Sequence, residues 1–485
     1  MTISGFPGTA LQQAQAIADK EISAEELVQS HFDRIDRINP AVNAIIWEDR
    51  DNALAEAKAC DAEIAASARR GPLQGLPMTV KESYDIKGAP STWGNPDWRD
   101  RIAETDSDAV ARLRQAGAIV FGKTNVPLML ADWQSFNDVY GTTNNPWDTG
   151  RTPGGSSGGA AAALATGMTA LEIGSDIGSS IRNPAHYCGV FGLKPTWNVV
   201  SAAGHAIPGA LVDTDIAVCG PMARSAADLS VNFDVIAGPN AFERSAWAWA
   251  GSADSRKSLS DFRIGLKLND PACPVDDAYQ AVLQDFADRL ARAGATVIEQ
   301  EPDLDTEAHF TNYLRLLGAA QAMRATEAEI EALAADVAGA DDPWIARIMG
   351  KRVAGIAMTH REWLNDDNER RHSRRKFDAF FEDFDVLLAP VCASAAFPHD
   401  QEGPRYRRKL RINGTDYPEN IQLFWSGYSG VVGLPSVVGP AGSVGRLPVG
   451  YQAITGHGTD HTALAFAEAV EREIIGFTPP PDFAE

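Results

Sequence analysis

Cysteine is scarce in this chain: five in 485 residues (Cys60, Cys188, Cys219, Cys273 and Cys392), scattered and never spaced Cys-x-x-Cys. An odd, dispersed set argues against a disulfide framework and a thiolate metal site, and predicts reduced core thiols. Basic charge is also short, with 43 Lys and Arg against 65 Asp and Glu, a net charge of −22. Binding to nucleic-acid phosphates or to an anionic membrane surface needs a basic footprint, so neither partner is expected. No stretch reaches the roughly 18 apolar residues of a spanning helix; the segment 158–171 comes nearest and is short and rich in small residues. The first residues, Met1-Thr-Ile-Ser-Gly-Phe-Pro7, lack a basic region followed by an apolar core, which makes a cytoplasmic location the expectation. A dinucleotide fingerprint is missing, and no Gly-Lys-Ser/Thr follows the glycine cluster at 154–159 as a P-loop would need.

That cluster is the most informative stretch. Gly154-Gly-Ser156-Ser157-Gly-Gly159 and Gly178-Ser179-Ser180 bracket an alanine-rich run and a short apolar one. Glycine-rich loops let backbone N–H groups approach a ligand, and their serines offer hydroxyl nucleophiles. A flexible linker is the bland reading. It fails because Ala160–Ala165 is a strong helix former and Ala170-Leu-Glu-Ile173 reads as a buried strand. Loop, helix, strand and loop together predict a packed site.

Around it the chain alternates helices with short apolar strands. Residues 8–38 read as two helices, the second opened by a capping box at Ser23 and Glu26 and closed by Pro40. Strands are expected at 41–47, 75–80 (delivering Lys81), 118–122, 262–268, 295–299 and 385–388, with helices at 51–70, 106–116, 225–238, 276–293 and 461–475. Residues 305–380 are helical in pattern, and Asn413-Gly414 predicts a two-residue hairpin turn. The fold class is therefore α/β: one large mixed sheet covered by helices on both faces, with no linker that splits the chain. Two basic runs are read as surface features. Arg370–Lys376 follows Asp366 and Asp367 at i,i+4 spacing on a solvated helix face, and Arg405–Arg411 guards an edge strand.

The residues alone leave the chemistry open. Gly155-Ser-Ser157-Gly-Gly159 formally matches the G-x-S-x-G elbow, but turn residues precede it instead of a strand, and none of His186, His205, His399 or His457 stands out as its base. A lysine is the remaining base. Free lysine titrates near 10.4 and is only about 0.04% neutral at pH 7, yet burial can make it a competent base. Lys81, Lys123 and Lys194 have equal standing on these grounds.

A resemblance separates them. Val80-Lys81, Gly122-Lys-Thr-Asn125, Pro153-Gly-Gly-Ser-Ser-Gly-Gly159, Gly174-Ser-Asp-Ile-Gly178, Ser180-Ile-Arg-Asn-Pro184 and Gly192-Leu-Lys-Pro-Thr196 together resemble the amidase signature family. The similarity is strongest over 70–240. It implies hydrolysis of carboxylic amides without metal or cofactor, on a single domain spanning 1–485, with a signature core at 70–240 and a helical substrate-side insertion at 305–380. It further implies Ser180 as nucleophile, Ser156 as bridging serine behind a cis peptide bond, and Lys81 as base. Backbone N–H groups of Ile177, Gly178, Ser179 and Ser180 are expected to form the oxyanion hole, supported by Ser157, Asp176 and Arg182.

This chain departs from the family in two places. Ser179 stands where the family often has glycine, which is tolerable if φ stays negative there, and Glu82 follows the lysine where Asp is frequent. The implied substrate is a small, neutral or aromatic amide, and requirement for a neutral amine predicts an alkaline optimum. Trp93, Trp133, Phe136, Tyr140 and Trp425 are candidate pocket walls, with residues 300–430 expected to set selectivity. A homodimer stays open as an assembly. The alternative function is the glutaminase subunit of a tRNA-dependent amidotransferase, from whose pattern Lys81–Lys87 and Ser91–Gly94 depart.

Overall fold

The structure, a computed structural model, describes residues 7–68, 70–251 and 254–484. Two helices open it, α1 (Ala10–Ala18) and α2 (Ala24–Val42), and the Ser23–Glu26 capping box caps the second as its sequence predicts. Pro40 does not end α2. It sits in the last turn, where the helix sheds few hydrogen bonds by lacking one N–H, and the left-handed Asn43 closes the helix instead. The Asn39 side chain then accepts the N–H groups of Ala44 and Ile45 and starts the first strand.

A small three-stranded sheet carries the first catalytic candidate. Its strands are β1 (Ile45–Glu48), β2 (Pro77–Lys81) and β3 (Ile119–Thr124), in order β1-β3-β2, interleaved with α3 (Arg50–Ala65) and α4 (Asp108–Gln115). β2 runs parallel to β3 and every residue in it is buried, so Lys81 ends the strand inside the protein. The short hairpin β4 (Phe136–Asn137) and β5 (Gly141–Thr142) precedes the glycine cluster.

The second sheet is larger. Its members are β6 (Glu172–Asp176), β7 (Phe191–Lys194), β8 (Val218–Ala223), β9 (Arg263–Leu266), β10 (Thr296–Ile298), β11 (Val386–Pro390), β14 (Ser436–Val444) and β15 (Leu447–Ile454), ordered β10-β9-β11-β15-β14-β7-β8-β6. β9 pairs in parallel with β10 and β11, and the other pairings are antiparallel, which makes it a mixed sheet. The hairpin β12 (Lys409–Ile412) and β13 (Thr415–Pro418) turns at Asn413-Gly414, as the sequence predicts.

Helices complete the architecture: α5 (Gly158–Ala165), α6 (Arg182–Cys188), α7 (Ala226–Ile236), α8 (Asp277–Arg292), α9 (Thr306–Ala320), α10 (Glu327–Ala338), α11 (Pro343–Ile356), α12 (His360–Asp383), α13 (Leu423–Gly430) and α14 (Asp460–Glu473). All eight residues of α5 are buried, and it packs on β2 and β3 of the small sheet and on β6 and β8 of the large one. Only a helix built from Gly and Ala, with one Leu, is thin enough for that slot. It clamps Lys81 of β2 against β6 of the neighbouring sheet.

Both basic runs depart from a purely solvated reading. Asp366 pairs with Arg315 at 2.7 Å, while Arg370 is buried between Asp367 and Asp215. Arg405 and Arg408 turn inward, to Glu419 (2.9 Å) and Asp132 (2.6 Å), because each carboxylate is itself largely buried and needs a cation. Arg411 alone in that run crosses the exposed hairpin, to Asp416. All five cysteines are free and buried. Among the described residues no helix is long and apolar enough to cross a membrane, and no group of His, Cys, Asp and Glu is placed to hold a metal ion.

Candidate active site

The glycine cluster enters α5 through a cis peptide bond between Gly155 and Ser156. Glycine is required at 155 by close approach: a Cβ there would lie 2.3 Å from the Asp132 carbonyl oxygen. Ser156 is thereby brought beside β2, and Lys81 Nζ donates to its Oγ at 2.7 Å. The same ammonium group meets Ser175 Oγ at 2.9 Å and the Ser175 carbonyl at 3.4 Å. Ser175 lies within the Gly174–Gly178 motif, but sequence reasoning assigns it no role; serine in a buried strand facing a lysine is the signal that could have found it.

All these partners of Lys81 are neutral, and burial drives its pKa down from 10.5 to about 7 against the opposing pull of Asp176. Burial also lowers Lys123 to about 8 and Lys194 to about 7, so depression by itself selects none of the three. Geometry does. Lys123 Nζ donates to the carbonyls of Glu82 and Pro90, and Lys194 Nζ to that of Pro195, whereas Lys81 Nζ reaches serine hydroxyls. The segment Gly117–Thr124 formally matches the P-loop pattern, yet 119–124 is a buried strand with no loop to cradle phosphate.

Ser180 stands on the turn between β6 and α6. Asp176 organises that turn: its carboxylate accepts the N–H groups of Ser179 (2.9 Å), Ile181 (3.1 Å) and Arg182 (3.3 Å). The Arg182 guanidinium returns to the same carboxylate through Nε at 3.0 Å and Nη2 at 2.9 Å, and its Nη1 reaches Ser426 O, Ser429 Oγ and Gln452 Oε1. Although burial opposes its charge, Asp176 is held at about 2 by Arg182 and these hydrogen bonds. Ser157 joins the two halves of the site, donating its N–H to Ser180 O at 3.1 Å and setting its hydroxyl against the Ser175 backbone.

The turn corrects two expectations. Ser179 has φ +72°, in the left-handed region, and not the negative value expected of a serine there. Its N–H is spent on Asp176, which leaves Ile177, Gly178 and Ser180 as the donors available to an oxyanion. The inward-turned N–H and the positive φ have one cause, the tight wrap of 179–182 around the Asp176 carboxylate.

Ser156, Ser175 and Ser180 line a single cavity of about 210 Å³. Its remaining walls include Trp93, Leu130, Trp197, Val212 and Val218, and much of the lining comes from 197–219. Among the lining residues none is Lys or Arg. Of the five aromatic candidates Trp93 alone lines it. Trp133 is buried behind the site and donates Nε1 to Gly178 O, Trp425 is a core residue bonded to Cys273 O, and Phe136 borders a separate groove beneath Arg408. Tyr140 is half-buried outside the lining. None of residues 300–430 lines this cavity either; Ala319, Ala320, Met323 and Trp363 line an adjoining groove. The elbow reading finds no support, since Ser157 Oγ is set against the Ser175 backbone rather than a histidine, and His186 is engaged by Ser394 O and Gly450 N.

Comparison with known proteins places this geometry in context. The family described as Amidase matches residues 26–464. Indoleacetamide hydrolase of Bradyrhizobium diazoefficiens is 32% identical over 477 residues, covering 96% of this chain and 86% of that protein. A glutamyl-tRNA(Gln) amidotransferase component from a Synechococcus strain is 31% identical over 507 residues, covering 100% of this chain and 98% of that one. Among solved structures, a bacterial aryl acylamidase of the amidase signature family superposes with a TM-score of 0.81 at 25% identity, covering 99% of this chain and 98% of the other.

Proposed function

Since this chain belongs to the amidase family and so hydrolyses carbon–nitrogen bonds of amides, we propose that its substrate is a small neutral or aromatic carboxylic amide, cleaved through an acyl-enzyme on Ser180. The observation that carries the reading is the 2.7 Å contact between a depressed, buried Lys81 and Ser156 in the cavity that Ser180 also lines. At pH 7 a lysine with pKa about 7 is about half neutral, roughly a thousandfold more than free lysine.

Neutral Lys81 accepts the Ser156 proton as Ser156 accepts that of Ser180, and Ser180 Oγ bonds to the amide carbon. Charge gathers on the carbonyl oxygen, where N–H groups of Ile177, Gly178 and Ser180 stabilise it; one such donor is typically worth about 2.7–4 kcal/mol. The proton returns through Ser156 to the leaving nitrogen, the C–N bond breaks, and water cleaves the ester by the same relay in reverse. Asp176, Arg182 and Ser157 hold the turn and touch no reacting atom.

An aromatic acyl or amine group suits the walls formed by Trp93 and Trp197. Two relatives point the same way, one named for indoleacetamide and one for aryl acylamides. The amidotransferase reading is favoured by a whole-length match. Against it, a free amino-acid substrate brings a carboxylate, and the lining offers no Lys or Arg to receive it. Turnover of aryl amides by the purified chain alone, together with a phenylmethylsulfonyl fluoride adduct mapped to Ser180, is the expected result. An adduct on Ser157, or strict dependence on a partner protein, would overturn the reading.

A further inference from the structure

The turn 177–180 is held on its carbonyl side as well as its N–H side. Tyr313, from α9, donates its hydroxyl to Ile177 O at 3.0 Å. Trp133 Nε1 donates to Gly178 O at 2.8 Å. A carbonyl and the N–H of the next residue belong to one planar peptide unit. Donation to Ile177 O therefore polarises the unit that carries Gly178 N–H, and donation to Gly178 O polarises the one that carries Ser179 N–H, itself bonded to Asp176. Bonds linked in this way strengthen one another by roughly 10–30% each in a low-dielectric interior.

Tyr313 is built tightly into its place. It is fully buried, and its ring lies against the bare Cα of Gly427 in α13, where a Cβ would come within 2.3 Å of it. Its oxygen is 3.3 Å from where a Cβ on Gly178 would stand, which seats the phenol directly over the turn. Burial pushes the phenol well above its usual range, so it remains protonated and donating.

We propose that Tyr313 is a positioning residue for catalysis: by donating to Ile177 O it fixes and polarises the Ile177–Gly178 peptide, strengthening Gly178 N–H as a donor to the oxyanion formed when Ser180 attacks. The inference rests on Ser180 being the nucleophile and deepens that reading. It also gives α9, in the helical stretch between β10 and β11, a direct hold on the reaction centre although none of its residues lines the catalytic cavity.

Tyr313→Phe in the full-length chain tests it, since the ring that fills the Gly427 slot is kept and only the hydroxyl is lost. For an aryl amide the expected result is a fall in kcat of about three- to tenfold with KM within about twofold. Affinity for an aryl trifluoromethyl ketone, whose adduct with serine carries the oxyanion, should weaken by the same factor as kcat/KM. Replacing Tyr313 with 3-fluorotyrosine, a more acidic and stronger donor of nearly the same shape, should raise both kcat and ketone affinity above the wild-type values. Unchanged kcat and ketone affinity in Tyr313→Phe would overturn the proposal and leave Ser180 standing. If the phenylalanine variant does not fold, a fluorotyrosine enzyme with wild-type kcat and ketone affinity overturns it equally. Wild-type protein that neither hydrolyses aryl amides nor binds the ketone would remove the nucleophile assignment and this inference together.

Discussion

Asp176 and Arg182 face each other at 2.9 Å with both side chains out of solvent, one at the end of β6 and the other at the start of α6, so that the pair spans the turn presenting Ser180. Removing one partner of such a pair leaves a buried charge uncompensated, typically at a cost of about 3–5 kcal/mol. Arg182→Ala is expected to destabilise the chain on that scale and to abolish activity in whatever protein remains folded. Urea unfolding followed by fluorescence measures it, and a loss below about 1 kcal/mol would mean the pair is not what holds the turn. Asp176 adds a pH dependence. Its folded pKa of about 2 lies below the ordinary 3.8, so its contribution is present above about pH 4 and is lost as pH falls through about 2.

The proposed role of Lys81 as base fixes the expected activity profile. In the proposed relay the neutral amine is the working form, so kcat/KM should rise with pH through an ionisation near 7 and level off on the alkaline side. Unmodified lysine would place that limb near 10.4. Lys81→Ala should lose at least about a thousandfold in kcat with the fold retained, because the alanine leaves Ser156 and Ser175 free to bond to each other or to water. Near-native rates in that variant would remove the relay, and a limb near 10 would show that burial does not depress this lysine as its surroundings predict.

Local features of this site are legible in the sequence, and long-range ones are not. The Ser23–Glu26 capping box and the Asn413-Gly414 hairpin depend on a few adjacent residues, and both are where the sequence puts them. The choice among Lys81, Lys123 and Lys194 is different. All three are buried at or near strand ends with lowered pKa, and what distinguishes Lys81 is that α5 holds β2 of one sheet against β6 of another. No periodicity encodes that contact; family resemblance supplies it. The aromatic residues show the same limit. Trp93 and Trp425 have equivalent composition signals, yet one lines the cavity and the other fills the core, because the strap 197–219 folds over the first. Tyr313 carries no signal at all, since its target is a backbone carbonyl.

Ser179 offers a substitution that should improve the protein. Its φ of +72° is costly for any residue with a Cβ, and its hydroxyl is buried with no hydrogen-bond partner among the described residues. Ser179→Gly relieves both and keeps the N–H that Asp176 accepts, so a gain of about 1 kcal/mol is expected with activity unchanged. Calorimetry and steady-state rates check the two halves. A drop in activity with unaltered stability would indicate that the Ser179 hydroxyl takes part in the reaction, contrary to the assignment of Ser180.

Trp197 tests where specificity resides. It is half-buried, lines the cavity shared by Ser156 and Ser180, and stands at the head of the 197–219 segment that supplies much of the wall. Truncating it removes apolar surface facing that cavity while leaving Lys81, Ser156 and Ser180 untouched. Trp197→Ala should raise KM for aryl amides about tenfold or more, corresponding to roughly 1.5–3 kcal/mol of lost contact, and should leave KM for a short aliphatic amide within about twofold. Trp425→Ala is the contrasting case: a core vacancy costing about 3–5 kcal/mol of stability, with KM for the surviving enzyme unchanged. Should Trp425 alter aryl-amide KM while Trp197 does not, the substrate lies on the other side of α13 and the cavity assigned to it is the wrong one.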